Sequence, residues 1–231
     1  MASVIPKLRT GHGGLNIPLL GRHEKSIPLV SQYPDTPFSE SFRLLALNVL
    51  ALTRNKSRKS IAVMSAFPRD GRTTVAVNLA VALAEHAQVV LYDRDEVSAR
   101  SMGRAVALEA ATGYGADHVS RLGASDTLRE GEVEVSAKQD SRVWIADPVT
   151  ASRNGSDDLE GIEHLSNLGV FSVFDLPPAS ASANAFTLAQ KVETAIYVIR
   201  QRPQDMNVHL GIREHLARLG VDLIGLVVNE Y

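Results

Sequence analysis

Apolar residues recur along the chain with two different periods, and the alternation of the two predicts the elements. In "DTPFSESFRLLALNVLALTRN", Phe38, Phe42, Leu45, Val49 and Leu52 are spaced by three and four, which gives one apolar stripe on a helix. Asp35 or Thr36 can cap that helix, and Pro37 suits its first position because it has no N–H to lose. Glu40 and Arg43 fall on another face, close enough to pair. After the basic link "RNKSRKS", the short apolar run Ile61–Ser65 has the length of a strand, and a helix is expected from about Thr73 to His86. That helix is rich in Ala, Val and Leu nearly all round, as in an element buried between layers. A second apolar run, "QVVLYDRD", follows at once. Strand, loop, helix and strand within ~35 residues make a βαβ unit, which implies a parallel sheet.

Further strands are expected at Arg142–Ala146, Val170–Phe174, Ala195–Arg200 and Leu223–Val228, with helices at Asp157–Leu168, Ala183–Lys191 and Asp205–Leu219. The alternation predicts an α/β fold, a doubly wound and mostly parallel sheet with helices on both faces and its ligand at the carboxyl ends of the strands. Residues 99–140 suggest a short helix and loops over one edge. Residues 1–33, rich in Gly and Pro with scattered basic residues, are expected to form a flexible N-terminal arm, either inert or ordered against a partner, ahead of one domain over residues 34–231.

Composition narrows the function. A net charge of −2 offers no general electrostatic case for binding nucleic acid. The absence of cysteine removes disulfides, thiolate metal sites and cysteine nucleophiles, and fits a cytoplasmic setting. No apolar run approaches the ~18–20 residues that span a bilayer, and the N-terminus lacks the pattern of a secretory signal. The seven histidines show no metal-ligand spacing, and His209 and His215 read as surface or packing residues. Trp144 reads as a core residue, and "RNKSRKS" as a solvated link, with docking on an inner membrane leaflet as the competing idea.

The chemistry concentrates between the first strand and the second helix. Ala66-Phe67-Pro68-Arg69-Asp70-Gly71-Arg72-Thr73 matches the phosphate-binding pattern [Ala/Gly]-x4-Gly-Lys-[Ser/Thr] everywhere but at the lysine. In such a loop, consecutive backbone N–H groups surround phosphate oxygens, and the next helix presents its positive end. Thr73 would place a hydroxyl on Mg²⁺. Arg72 keeps the charge of the lysine but is longer, planar and forked. Asp93 and Asp95 close "VVLYDRD", and Asp175 closes "VFSVFDLPP". Acidic groups at neighbouring strand ends can hold Mg²⁺ or its waters and orient an attacking hydroxyl, or can simply cap the next turn.

The combination "PFSESFRLLALN", "SAFPRDGRTTVAVNLAVALA", "VVLYDRD", "NGSDDL", "FSVFDLPP" and "LIGLVVNEY", in this order, resembles the cytoplasmic domain of bacterial tyrosine kinases that control capsule and exopolysaccharide assembly. The resemblance runs from about Pro34 to Asn229 and implies a three-layer P-loop NTPase fold with an ATP–Mg²⁺ site. It places the Walker A loop at Ala66–Thr73, with Arg69, Asp70, Gly71, Arg72, Thr73 and Thr74 around the nucleotide. Asp93 and Asp95 would form a second acidic motif, Asp175 the Walker B aspartate and Asn229 the adenine contact. Thr73, Asp93 and Asp175 would serve the metal, and Arg72, Asp93, Asp95 and Asp175 the chemistry. It also implies a membrane chain-length regulator, a polysaccharide co-polymerase, as partner, with the chain held at the inner face of the membrane through it. A homo-oligomer is implied by the Glu-x-x-Arg-x-x-Arg motif around Glu40 and Arg43.

The departures from that family are specific. Arg72 replaces the loop lysine, Arg69 stands where the family has glycine, and Ala46 replaces the second arginine of the oligomerisation motif. Asn184 stands for an aspartate and Leu176 for a threonine, and no tyrosine cluster precedes Tyr231, so the usual phosphate acceptor is missing. Partitioning and division-site ATPases share the fold but carry a lysine where this chain has Phe67. Two functions stay open. One is a slow protein-tyrosine kinase or ATPase; the other is a nucleotide-binding or nucleotide-free pseudo-enzyme that regulates or scaffolds polysaccharide assembly.

Overall fold

The computed structural model describes residues 30, 35–56, 58–94, 143–146, 158–200 and 206–229. Helix α1 spans Pro37–Thr53, strand β1 Ser60–Ser65, α2 Arg72–Ala84, β2 Val89–Asp93 and β3 Val143–Ala146. They are followed by α3 at Asp158–Asn167, β4 at Phe171–Asp175, α4 at Asn184–Val192, β5 at Thr194–Arg200, α5 at Met206–Arg218 and β6 at Asp222–Asn229. These bounds lie within two residues of the sequence expectation at each element whose limits it set. The arm apart from Val30, the segment 99–140 and Asp95 lie outside the described residues, as does the side chain of Trp144.

One six-stranded sheet carries the order β3-β2-β4-β1-β5-β6. Every neighbouring pair in it is parallel. β4 is inserted between β1 and β2, so the chain leaves β1, passes over that position to reach β2, and fills it later. The strand ends that follow β1, β2 and β4 are thereby brought side by side, as a ligand site in an open α/β sheet requires.

β1 is buried along its whole length because both faces of the sheet are covered. On one face, α1 and α2 pack Phe42, Leu45, Val49, Val77, Leu79 and Leu83 against Val63 and Leu91. On the other, α3, α4 and α5 place Ile162, Ala189 and Leu216 against Met64, Phe174 and Tyr197. α2 is buried almost throughout, as its composition predicts. The stripe of α1 needs one correction: Leu52 is 41% exposed, and Thr53 is buried in its place. The step from Val49 is four residues rather than three, and Thr53 satisfies its hydroxyl on the Val49 carbonyl at 2.7 Å.

The basic link is tied to the domain's own acids. Lys56 pairs with Asp222 at 2.7 Å, Arg58 with Glu193 at 2.6 Å, and the Lys59 ammonium lies 5.5 Å from the Phe171 ring centre. Glu40 and Arg43 pair as expected, and Arg43 also reaches Glu85 at 3.2 Å.

Val30, inside the segment expected to be an arm, is buried and held at both backbone groups. Its N–H donates to Asn78 Oδ1 at 2.8 Å, and its carbonyl accepts from Ser39 Oγ at 3.1 Å. Asn78, fully buried on α2, in turn donates to the Thr74 carbonyl at 2.9 Å. Removing that amide strands the Val30 N–H in the core, which costs about 1–3 kcal/mol. Asn78→Ala is therefore expected to lower the urea midpoint with the slope unchanged, and an unaltered midpoint would show that Val30 is not docked in solution.

Candidate functional site

β1 ends at Ser65, and residues 66–71 turn directly into α2. Glycine is required at the end of this loop. Gly71 has φ +96°, and a Cβ there would lie 2.3 Å from Asn229 Nδ2. That amide, on the last residue of β6, donates to the Asp70 carbonyl at 3.0 Å and so pins the loop from a position 159 residues away. Asp70 is buried and folds back across the loop, its Oδ2 accepting the Phe67 N–H at 2.9 Å. Arg69, at the exposed apex, has φ +66°, the left-handed region that glycine occupies without strain and an arginine enters at a cost of about 1–2 kcal/mol.

α2 opens at Arg72, so the N–H groups of Arg72, Thr73 and Thr74 fall in the first helical turn, where no i−4 carbonyl is available within the helix. The positive end of the helix points at the loop.

The side chain of Arg72 turns inward. Its Nε donates to Asp175 Oδ1 at 2.9 Å and its Nη1 to Ser65 Oγ at 3.0 Å. Thr73 Oγ1 donates to the other carboxylate oxygen, Asp175 Oδ2, at 2.7 Å. Asp175 is completely buried, and the Arg72 side chain is 6% exposed. Asp93 closes β2 in register with Asp175 on β4 and is itself buried. The next residue, Arg94, donates its N–H to the Asp175 carbonyl at 2.9 Å, with the Nε and Nη2 of its guanidinium buried. Two carboxylates and the Arg72 guanidinium thus share one corner of the site.

The structure brings together Asp70, Gly71, Arg72, Thr73, Asp93, Asp175 and Asn229. Thr74 contributes a carbonyl to Asn78, Arg69 stays exposed on the loop, and Asp95 falls outside the described residues. Sequence reasoning missed Ser65, whose position at the end of β1 was its only signal, and the inward course of Arg72. Leu176, in place of the family's threonine, is fully buried in the core beside α4.

The residues expected to serve magnesium are engaged with one another and with a cation: Thr73 donates to Asp175, and Asp175 accepts from Arg72. Both oxygens of Asp175 already accept hydrogen bonds, one from a cation that neutralises it. A divalent ion would have to displace or sit against a buried guanidinium, where like-charge repulsion is weakly screened. Among the described residues, no group of three His, Asp or Glu side chains could hold a metal ion.

His209 packs beside the loop. Its ring meets Phe67 edge-on at 5.9 Å, and its Nδ1 lies 3.0 Å from the Tyr197 hydroxyl. His215 packs edge-on against Phe186, so both histidines serve packing, as expected. Burial, and secondarily the charge of Asp70, hold the Tyr197 phenol well above its ordinary value of 10. The stability this group supports is complete below pH 10 and is lost as pH rises, because the unfolded chain ionises first. Unfolding free energy should fall above pH 10 by up to about 1.4 kcal/mol per pH unit. Tyr197→Phe should flatten that part of the profile; an unchanged slope would contradict it.

A strand–loop–helix turn with an obligatory glycine, on an all-parallel sheet with acidic strand ends, defines a P-loop α/β domain. No protein-family model matches the chain. It is similar to the tyrosine-protein kinase YwqD of Bacillus subtilis, at 23% identity over 200 residues, covering 85% of this chain and 82% of that protein. The kinase domain of the Escherichia coli tyrosine kinase ETK superposes with a TM-score of 0.68 at 18% identity, over 99% of this chain and 90% of that one. A nucleotide-binding protein of Archaeoglobus fulgidus, in complex with ADP, has a TM-score of 0.51 at 18% identity, over 80% and 71%. The chain has the P-loop fold of the bacterial tyrosine-kinase domain. No described helix is long and apolar enough to cross a membrane.

Proposed function

We propose that this chain is a nucleotide-binding domain of the bacterial tyrosine-kinase type that regulates capsule or exopolysaccharide assembly by holding ATP or ADP, with phosphoryl transfer slow or lost. The observation that carries the proposal is the paired construction of the loop. Gly71 and Asn229 keep the cradle shaped for phosphate, while Arg72, which stands for the phosphate-reaching lysine, is committed to Asp175. Shape supports binding; the diverted cation argues against turnover, because transfer needs charge placed where it develops. Arg69, exposed on the loop, supplies the cation that reaches phosphate. Similarity to the tyrosine-protein kinase YwqD over most of both chains supports the kinase-type reading. The setting in polysaccharide control, beside a membrane chain-length regulator at the inner face of the membrane, follows from the motif resemblance of the sequence.

Division-site and partitioning ATPases are a poorer match, since Phe67 occupies their signature-lysine position and packs on His209. The test is calorimetric titration with ATP beside a phosphate-release assay. Saturable binding with release no faster than the buffer blank is expected. Absence of binding, or fast multiple-turnover release (on the order of 1 s⁻¹ or more) that Asp175→Asn abolishes, would contradict the proposal. Arg72→Lys is expected to raise release, since it returns a point charge to the lysine position.

A further inference from the structure

We infer that Arg72 stands in for the divalent cation of this site, so that the domain binds a nucleoside di- or triphosphate equally well with and without magnesium. This rests on the nucleotide-binding reading above and adds how the site meets the ligand's charge.

A divalent ion at a P-loop is held where a helix-start hydroxyl meets a strand-end carboxylate, close to the phosphates. Here those groups are Thr73 and Asp175, and they are already joined, Oγ1 to Oδ2 at 2.7 Å. The other oxygen, Oδ1, receives Arg72 Nε at 2.9 Å. The guanidinium is fixed further by Ser65 Oγ at 3.0 Å, and Asp175 is fully buried. A guanidinium locked by two bonds in a buried pocket is not displaced cheaply, because moving it strands the carboxylate.

The surrounding charge agrees. Asp93 and Asp175 lie in register on neighbouring strands, and Arg72 brings its positive charge to the same strand ends through its bond to Asp175. The Arg72 charge neutralises Asp175 from within the chain, so the carboxylate that would draw magnesium to this strand end is already met. Asp70 adds no free ligand in that direction, since its carboxylate is turned onto the Phe67 N–H within the loop. What remains for phosphate is the helix start, the glycine-shaped loop and the exposed Arg69, and none of these needs a metal.

The test uses the whole wild-type chain. ADP is titrated by calorimetry in magnesium and in excess EDTA, and Mn²⁺ is followed by electron paramagnetic resonance with and without ADP. The two affinities should agree within about twofold, and ADP should recruit no Mn²⁺ to the protein beyond what it carries free in solution. In Arg72→Lys, magnesium should tighten ADP by about tenfold or more, with protein-bound Mn²⁺ appearing. Wild-type affinity that falls about tenfold on chelation, or ADP-dependent Mn²⁺ binding to the wild-type protein, overturns the inference and leaves the nucleotide reading intact. If no ADP binds in either buffer, the nucleotide reading fails and this inference fails with it.

Discussion

Asp175→Ala should lower the unfolding free energy by about 3–5 kcal/mol, a large fraction of what a domain of this size possesses. The cause is not the loss of an attractive contact as such. Arg72 would remain in a pocket where it is 6% exposed, with the counter-charge that Asp175 supplies removed. Thr73 would lose its acceptor at the same time. The corollary distinguishes this account from a simple packing defect. Arg72→Met combined with Asp175→Asn removes both charges and should be destabilised by less than either single change, because buried ion pairs barely repay their desolvation. Urea unfolding of the two singles and the double measures this. Additive losses would mean that the pair is not coupled.

Gly71→Ala carries the second large effect. A backbone at φ +96° is strained for any residue with a Cβ, by about 1–2 kcal/mol. The new methyl would also meet the Asn229 amide at 2.3 Å. That amide is the end of a side chain and can swing away, so the clash itself is relieved cheaply. The lasting loss is its bond to the Asp70 carbonyl, worth about 1 kcal/mol, and with it the loop's anchor to β6. Destabilisation of about 2–3 kcal/mol is expected, together with complete loss of nucleotide binding. Asn229→Ala alone should lose only the anchor. If Gly71→Ala binds ATP as well as the wild-type protein does, the loop is not the phosphate cradle.

The elements were legible because period and punctuation agree along the chain. Ile61–Ser65 is too short for a buried helix, Gly71 interrupts it from the Ala-rich run beyond, and strand-like and helical patterns alternate thereafter. The parallel sheet follows from that alternation. The insertion of β4 between β1 and β2 does not, because no local signal tells a strand which neighbours it will meet.

The site was legible by residue type and not by direction. Glycine and threonine at their spacing, with aspartates at strand ends, mark a phosphate loop wherever the chain folds. That Arg72 points at Asp175, 103 residues on, depends on β4 lying beside β1, and on a guanidinium long and forked enough to reach both a carboxylate and Ser65. Asn229 was placed at the site by resemblance, as a base contact. Its bond to the Asp70 carbonyl shows it anchoring the loop. Val30 was hidden for a related reason: the apolar residues of its Gly- and Pro-rich stretch keep no helical or strand period, and its docking involves Asn78 from a distant helix.

Hydrogen exchange across the loop tests the central claim most directly. With saturating ATP, the amides from Arg69 to Thr74 should exchange about a hundredfold more slowly than in the free protein, while the β3 edge of the sheet is unaffected. Unchanged exchange in that segment at saturating ATP would contradict the account.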